Sequence, residues 1–403
     1  MSWKRTFVFA FTAQFLGIVG LSFAIPFLPF FVAELGVREG GRQAFWAGLV
    51  IAAGGLMFAL FAPLWGVLAD RHGRKPMVCR AMFGAAVSVL LMSFARTVPH
   101  LVMFRMVQGA FSGTFAASIA LVASVVPRRR SGLALGMMQA AVFVGHALGP
   151  LIGGVMADMV GYRASFRLGA CLTLLGGLLV QLGTTEHFTP PARGLSVDRP
   201  GFLAIVQAPG FLISVLVLLF VRLSNSIANP SFPLVVREVV ETPTRLNSVT
   251  GVIIGAAALA AALAAAWLGH LGDRFGRKRV LLACCAGAVL AALGHYVART
   301  IPALFAARLA FGFSVAGMMP AANAMIHEHV DPRSIGKAYG LATSISMLGL
   351  AIGPTLGGTL ALHAGVRAPF LVTAAAHLGL AGIILWVLRK ERVPAGGVVP
   401  GSP

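Results

Sequence analysis

Charge is scarce in this chain, and acid is scarcer still. Only 11% of its 403 residues are Asp, Glu, Lys or Arg, with 12 acidic against 32 basic. A water-soluble domain carries about a quarter of its residues as charges, so a soluble fold is excluded. Cysteine is reduced to four residues, Cys79, Cys171, Cys284 and Cys285. They lack paired spacing, which excludes a disulfide framework and a zinc site. There is no nucleophile elbow, no phosphate loop and no metal-ligand cluster, and the HEHVD run at His327 to Asp331 lacks the HExxH spacing. Enzyme chemistry, a metal and a cofactor are therefore not expected. The basic residues are scattered among separate segments without interleaved aromatics, which argues against a nucleic-acid partner.

What is abundant is apolar length. Hydrophobic residues make up 58% and the mean hydropathy is +0.87. A crossing of the hydrocarbon needs about 20 apolar residues, with every backbone polar group satisfied internally. Stretches of that kind run from Phe7 to Phe31, Ala44 to Leu68, Met77 to Phe94, Leu101 to Val125, Leu133 to Ala157 and Ser165 to Leu182. Six more run from Phe211 to Val236, Ser248 to Leu268, Val280 to Ala298, Ala303 to Ile326, Ala338 to Leu362 and Pro369 to Leu388. The reading is an all-α membrane protein of twelve spans. The first span follows Lys4 and Arg5 as a signal peptide would, but it is long and lacks a small-residue cleavage site, so it is read as retained.

The second half repeats the first. GVLADRHGRK at Gly66 returns 203 positions on as GHLGDRFGRK at Gly269, and Arg105 returns as Arg308. At an offset of 204, Pro26 and Pro29 return as Pro230 and Pro233, GHALGPLIGG at Gly145 as GLAIGPTLGG at Gly349, and GYRASF at Gly161 as GVRAPF at Gly365. The expected organisation is a six-helix bundle over 1–185, a linker over 186–209, a second six-helix bundle over 210–390 and a disordered tail over 391–403. Parallel repeats of this kind generally surround a site on their pseudo-symmetry axis. Lys and Arg concentrate in the segments on the side of the termini, so both termini are expected in the cytoplasm, with the basic segments facing anionic lipid headgroups.

The two GxxxDRxGRK segments resemble the signature loop of the major facilitator superfamily, and the twelve-span layout agrees over almost the whole chain. The resemblance implies two pseudo-symmetric six-helix halves and a cytoplasmic latch between them that steadies the outward-facing state. Its residues would be Gly66, Asp70, Arg71, Gly73 and Arg74, with Gly269, Asp273, Arg274, Gly276 and Arg277. Gly66 and Gly269 would permit close backbone approach at a helix end, and the two aspartates would take charge-assisted hydrogen bonds or sit at a helix N-terminus. GHALGPLIGG in the fifth span is similar to the pattern of antiporter-type drug exporters. Gly145, Gly149, Gly153 and Gly154, with Pro150, would give a smooth surface able to seal against the other half when the cavity opens inward.

By the same resemblance, spans 1, 4, 7 and 10 line a central cavity. Arg105, Arg222 and Arg308 are the arginines placed within spans, and all three are expected to face that cavity, because burying arginine in lipid costs roughly 2.5 to 3.5 kcal/mol. Arg105 resembles the family's arginine motif, linked to proton movement. From Arg222, residues Asn225, Ser226 and Asn229 follow at helical spacing and make one polar stripe. Arg105, Gln108 and Ser112 make a shorter one, and Gln14 stands alone in the first span. Phe111 and Phe311 are candidate apolar walls.

None of the 12 acids lies mid-span. A cavity with arginines and no carboxylate repels cations. Candidate proton carriers are His146, which titrates near neutrality, and the span-end acids Glu34, Asp70 and Asp158; His377 receives no role. The expected function is export of a small amphipathic molecule, neutral or anionic, across the inner membrane by alternating access in exchange for protons. The alternative is a transporter of one metabolite such as a siderophore, sugar or organic acid. A monomer in contact with membrane lipid is expected.

Overall fold

A computed structural model describes residues 3–186, 188, 211–240, 243–328 and 335–392. Most of the predicted linker and tail, and part of the HEHVD run, lie outside these residues. The N-terminal half comprises α1 (Trp3–Ser22), α2 (Leu28–Glu34), α3 (Gly40–His72), α4 (Arg74–Ser93), α5 (Val98–Phe111), α6 (Thr114–Val125) and α7 (Arg128–Gly183). The C-terminal half comprises α8 (Phe211–Ile227), α9 (Phe232–Val239), α10 (Leu246–Phe275), α11 (Arg277–Val297), α12 (Ile301–Ala316), α13 (Met318–Glu328), α14 (Ile335–Ala364) and α15 (Ala368–Arg392).

Among the described residues, eleven helical segments are long and apolar enough to cross a membrane. One of them, Arg129–Gly183, has 55 residues. At about 1.5 Å per residue it would be far longer than a bilayer is thick. It turns at Gly161, where φ is 81°, and so makes two crossings, which brings the total to twelve. The repeat register holds in backbone conformation: Gly161 and Gly365 both have positive φ, as do Gly73 and Gly276.

Spans 1, 4, 7 and 10 are each made of two helices, broken at 23–27, 112–113, 228–231 and 317. Pro29 opens α2 and Pro233 opens α9 within their first two positions, where proline's missing N–H costs no hydrogen bond. The repeat therefore explains two of the breaks directly.

We call the end where α1 begins and α15 stops the terminal face, and the other the far face. At the far face each half is pinned by an equivalent ion pair. Arg163 Nε donates to Glu34 at 3.0 Å, and Arg367 Nε to Glu238 at 2.7 Å. These pairs are 204 positions apart, and each arginine also donates to carbonyls at the end of a neighbouring helix, Ser93 O and Ala298 O. Two candidate proton acceptors, Glu34 and Asp158, thus lie at the far face in hydrogen-bonded settings.

The glycine motif shows how the helices approach. A methyl group on Gly145 would sit 2.7 Å from Ile18 Cγ2, one on Gly149 2.5 Å from Ser22 Cβ, and one on Gly153 would collide with Phe23 O. These three glycines therefore seat α7 on α1 of its own half, whereas the sequence reading had placed them against the other half. Gly154 alone does that, lying against Asn247 O of α10. The repeat copy obeys the same rule: Gly349, Gly353 and Gly357 meet α8 and the residue at its end, and Gly358 meets Ala44 of α3. Gly153→Leu is accordingly expected to destabilise the fold by roughly 1 to 3 kcal/mol or more, read as a lower melting temperature in detergent. The same change at Gly132, which has nothing within 4 Å, is expected to be silent.

Candidate functional site

The halves meet at the far face and part toward the terminal face. Along α3, a methyl on Gly41 would lie 2.7 Å from Ala361 O, one on Gly48 would overlap Pro354 O, and one on Gly55 would stand 3.5 Å from Ala351 N; Gly66 has nothing within 4 Å. Along α10, Gly251 and Gly255 touch the carbonyls of Pro150 and Ala147, and Gly269 touches nothing. Among the described residues nothing approaches Gly66 or Gly269, so the close approach predicted there is absent in this arrangement.

Closure of the far face rests on Asp158. Its carboxylate accepts from Asn247 N (3.2 Å), Asn247 Nδ2 (2.8 Å), Ser248 N (2.7 Å) and Ser248 Oγ (2.5 Å), at the N-terminus of α10. A carboxylate there satisfies orphan backbone donors and meets the positive end of the helix dipole. Across the molecule Arg237 Nη1 donates to Gln43 Oε1 at 3.0 Å. Both contacts join the two halves.

At the terminal face the signature segments are nearly all helix, with only Gly73 and Gly276 as turns. Asp273 pairs with Arg277 one turn on, at 3.7 Å and largely exposed. The N-terminus of α4 is occupied by Glu186, which accepts from Arg74 N at 2.8 Å and Lys75 N at 2.7 Å. The sequence reading had assigned Glu186 to the linker. Arg71 is exposed; Arg74 and Lys75 are half-buried.

The predicted site residues fall into two groups, one in each half. In the C-terminal half a crevice at the break of span 7, too narrow in this arrangement to admit a water molecule, is lined by Asn225, Asn229, Arg308 and Phe311, together with His295, Phe370, Ala228 and Thr373. Arg308 lies over the rings of Phe232 (4.3 Å) and Phe311 (5.8 Å). It is thus turned into its own half, where aromatic faces receive the cation, and not into the space between the halves. His295 stacks on Phe370 at 5.0 Å and 9°, and Phe311 stands edge-on to both His295 and His377. His295 Nδ1 is 2.7 Å from Ala291 O and His377 Nδ1 is 2.8 Å from Thr373 O. A carbonyl only accepts, so both rings carry their hydrogen on Nδ1 and turn Nε2 inward. His377 Nε2 meets the side-chain amide of Asn225 at 3.1 Å, and His295 Nε2 is buried without a partner.

The predicted stripe on α8 is divided. Asn225 turns to α15, whereas Ser226 donates to Gly349 O of α14 at 3.2 Å. Arg222 lies beside Gly349 with Nε buried and unpartnered.

In the N-terminal half, Arg105 donates to Gln108 and packs on Gly54 of α3. It too is taken up inside its own half. Ser112 Oγ donates to Gln108 O at 2.9 Å. Gln14 is 1% exposed with neither amide atom partnered. Phe111 stacks on Trp65 and packs against Gly84, so it belongs to the interior of this half. His146 Nδ1 is 3.0 Å from Ser22 Oγ, joining α7 to α1.

A further span arginine, Arg80, was missed. Arg80 lies inside α4, its guanidinium 3.6 Å from the centre of the Trp65 ring. At the break of span 4, where Gly113 has φ 120°, Arg80 donates to Ser112 O at 3.3 Å and Trp65 Nε1 to Ala110 O at 2.6 Å. A broken helix frees carbonyls that lipid cannot satisfy, and these two side chains take them. The available signal was a tryptophan and an arginine within apolar runs, each needing a polar partner.

A survey of known families matches the chain to the Major Facilitator Superfamily, over residues 10–220 and again over 214–402. The chain belongs to the major facilitator superfamily. It is similar to the multidrug resistance protein MdtG of Enterobacter lignolyticus, with 32% identity over 93% of this chain and 90% of the relative. It is also similar to the multi-drug resistance efflux pump PmrA of Streptococcus pneumoniae, with 31% identity over 93% and 94%. Among solved folds, an inward-facing, occupied bacterial homologue of the human lysosomal transporter Spinster superposes with a TM-score of 0.80 at 16% identity, covering 97% of this chain and 98% of that one. The human organic anion transporter MFSD10 superposes with a TM-score of 0.70 at 17% identity, over 95% and 100%. The chain is a multi-span transporter of the inner membrane.

Two expectations follow. Asp158→Ala removes the acceptor that ties α7 to α10, so spin labels on the far ends of these helices should report a larger separated population, shifted roughly tenfold for each 1.4 kcal/mol lost. Arg80→Leu leaves Ser112 O unsatisfied and is expected to cost roughly 1 to 3 kcal/mol, measured as a drop in melting temperature.

Proposed function

We propose that this transporter exports small amphipathic molecules, neutral or anionic, by alternating access in exchange for protons. The observation that carries the reading is the chemistry of the cleft at the break of span 7. Arg308 and the amides of Asn225 and Asn229 offer charge and hydrogen bonds within aromatic walls, and no carboxylate lines it. Once side-chain movement widens the crevice, which is closed in this arrangement, such a lining suits an apolar body with a polar or anionic head and disfavours a lipophilic cation. The multidrug names carried by its relatives support export of drug-like compounds.

With both termini in the cytoplasm, the terminal face is the inner one and the described arrangement is inward-open. Arg222, Gln14, Gln108 and Ser112 border the path, and Asn225 and Asn229 contact the substrate. Return to the outward-facing state breaks the Asp158 tie and brings Gly66 to Lys75 toward Gly269 to Lys278, whose aspartates and arginines then act across the halves as a latch. In the absence of a mid-span acid, the groups within spans able to take the proton are His146, His295 and His377.

The reading is tested with protein reconstituted in vesicles, a panel of cationic, neutral and anionic amphiphiles, and a pH-sensitive dye inside. Anionic and neutral compounds should move with a countercurrent of protons. Losing a hydrogen bond to a charged donor weakens binding by roughly 1.5 to 3 kcal/mol, so Arg308→Gln should slow anion flux at least tenfold and spare neutral compounds. Arg222→Ala should lower flux with insertion intact. Flux of lipophilic cations alone would overturn the proposal, and saturable flux of one metabolite without general drug transport would replace it with the narrower alternative.

A further inference from the structure

A surface cavity of about 270 Å³ opens at the terminal face, between the start of α1 and the start of α7. It has two chemistries. Its wall is apolar, formed by Phe7, Val8, Leu133 and Met137, and its rim carries Trp3, Lys4 and Arg130. Phe7 and Ala134 belong to a packed cluster that closes the floor. Leu133 and Val8 stay 71% and 56% exposed, so no described residue covers the upper wall. The guanidinium of Arg130 lies 5.6 Å from the centre of the Trp3 ring, which places a cation and an interfacial aromatic together at the mouth. Lys4 stands beside them, and among the described residues no acid lines the cavity.

The combination restricts the occupant. A free anion would use the two cations and leave the apolar wall exposed. A neutral hydrocarbon chain would cover the wall and leave the cations without a counter-charge. A molecule with a phosphate attached to an acyl chain satisfies both, and the height of the site suits it: tryptophan marks the level of the headgroups, and basic residues at that level attract anionic lipid. We propose that this groove binds an anionic glycerophospholipid, with its phosphate held between Lys4 and Arg130 and one acyl chain laid along Val8, Leu133 and Met137. Since α7 packs on α1 through Gly145, Gly149 and Gly153 and on α10 through Gly154, a lipid seated here bridges the terminal ends of the helix pair that reaches the other half.

The test uses the full chain in nanodiscs of phosphatidylcholine containing a minor fraction of phosphatidylglycerol, with lipid retention read by native mass spectrometry. The unmodified protein should retain phosphatidylglycerol over phosphatidylcholine. The double variant Lys4→Gln/Arg130→Gln should retain roughly tenfold less phosphatidylglycerol, with phosphatidylcholine unchanged. Leu133→Trp, at a position already exposed, blocks the acyl path without touching charge and should lower retention by a similar factor. Glycerol 3-phosphate added in excess should not displace the lipid. Unchanged retention in either correctly folded variant overturns the proposal, as does displacement by glycerol 3-phosphate, which would mark a simple anion site.

Discussion

Hydrocarbon offers no hydrogen bonds, and that constraint governs where this bundle can depart from regular helix. Every interruption of a span exposes carbonyls and amides that only the protein can satisfy. The interruptions fall in spans 1, 4, 7 and 10, and polar side chains gather beside those in spans 4 and 7. Trp65 and Arg80 take the carbonyls of span 4, and a cleft with Arg308, His295 and two asparagines flanks the gap in span 7. Polar chemistry in this fold is thus located where the backbone needs it, and the candidate site is one of these places.

Glycine governs the remainder of the architecture. Contacts of backbone on backbone join α7 to α1 and α10, and α14 to α8 and α3. Without a hydrophobic drive between helices in lipid, such close packing supplies the attraction. Between the halves these contacts are tight at Gly41 and Gly48 of α3, looser at Gly55 and gone at Gly66, so one row of small residues marks both the seal and the opening.

Much of this was legible in the residues. The apolar runs fall within the observed spans, though the helices extend several residues further at many ends, because charged residues such as Arg71 and Asp273 continue the helix to the glycine that stops it. The 204-residue register matched Gly161 with Gly365 and Arg163 with Arg367, and the structure gives each pair the same turn and the same ion pair, although the turns and ion pairs themselves were not read from the sequence. Side-chain direction was not legible. Arg308, Arg105 and Phe111 were expected in the central space and instead turn into their own halves, toward aromatic rings, a helix-mate and a glycine that a periodicity argument does not see. His295 and Arg80 escaped notice, and His377 received no role, because Phe370, Asn225, Trp65 and Ser112, the groups they turn toward, come from helices distant in sequence. Glu186 was read as linker since nothing local tied it to the start of α4.

The junction between α3 and α4 is one residue, Gly73, and its counterpart between α10 and α11 is Gly276. Each has positive φ, a conformation that side chains resist, and reverses the chain within a single position. With no loop between the paired helices, one inserted residue at either glycine must deform a helix end, so length is fixed here by geometry and not by any bound partner.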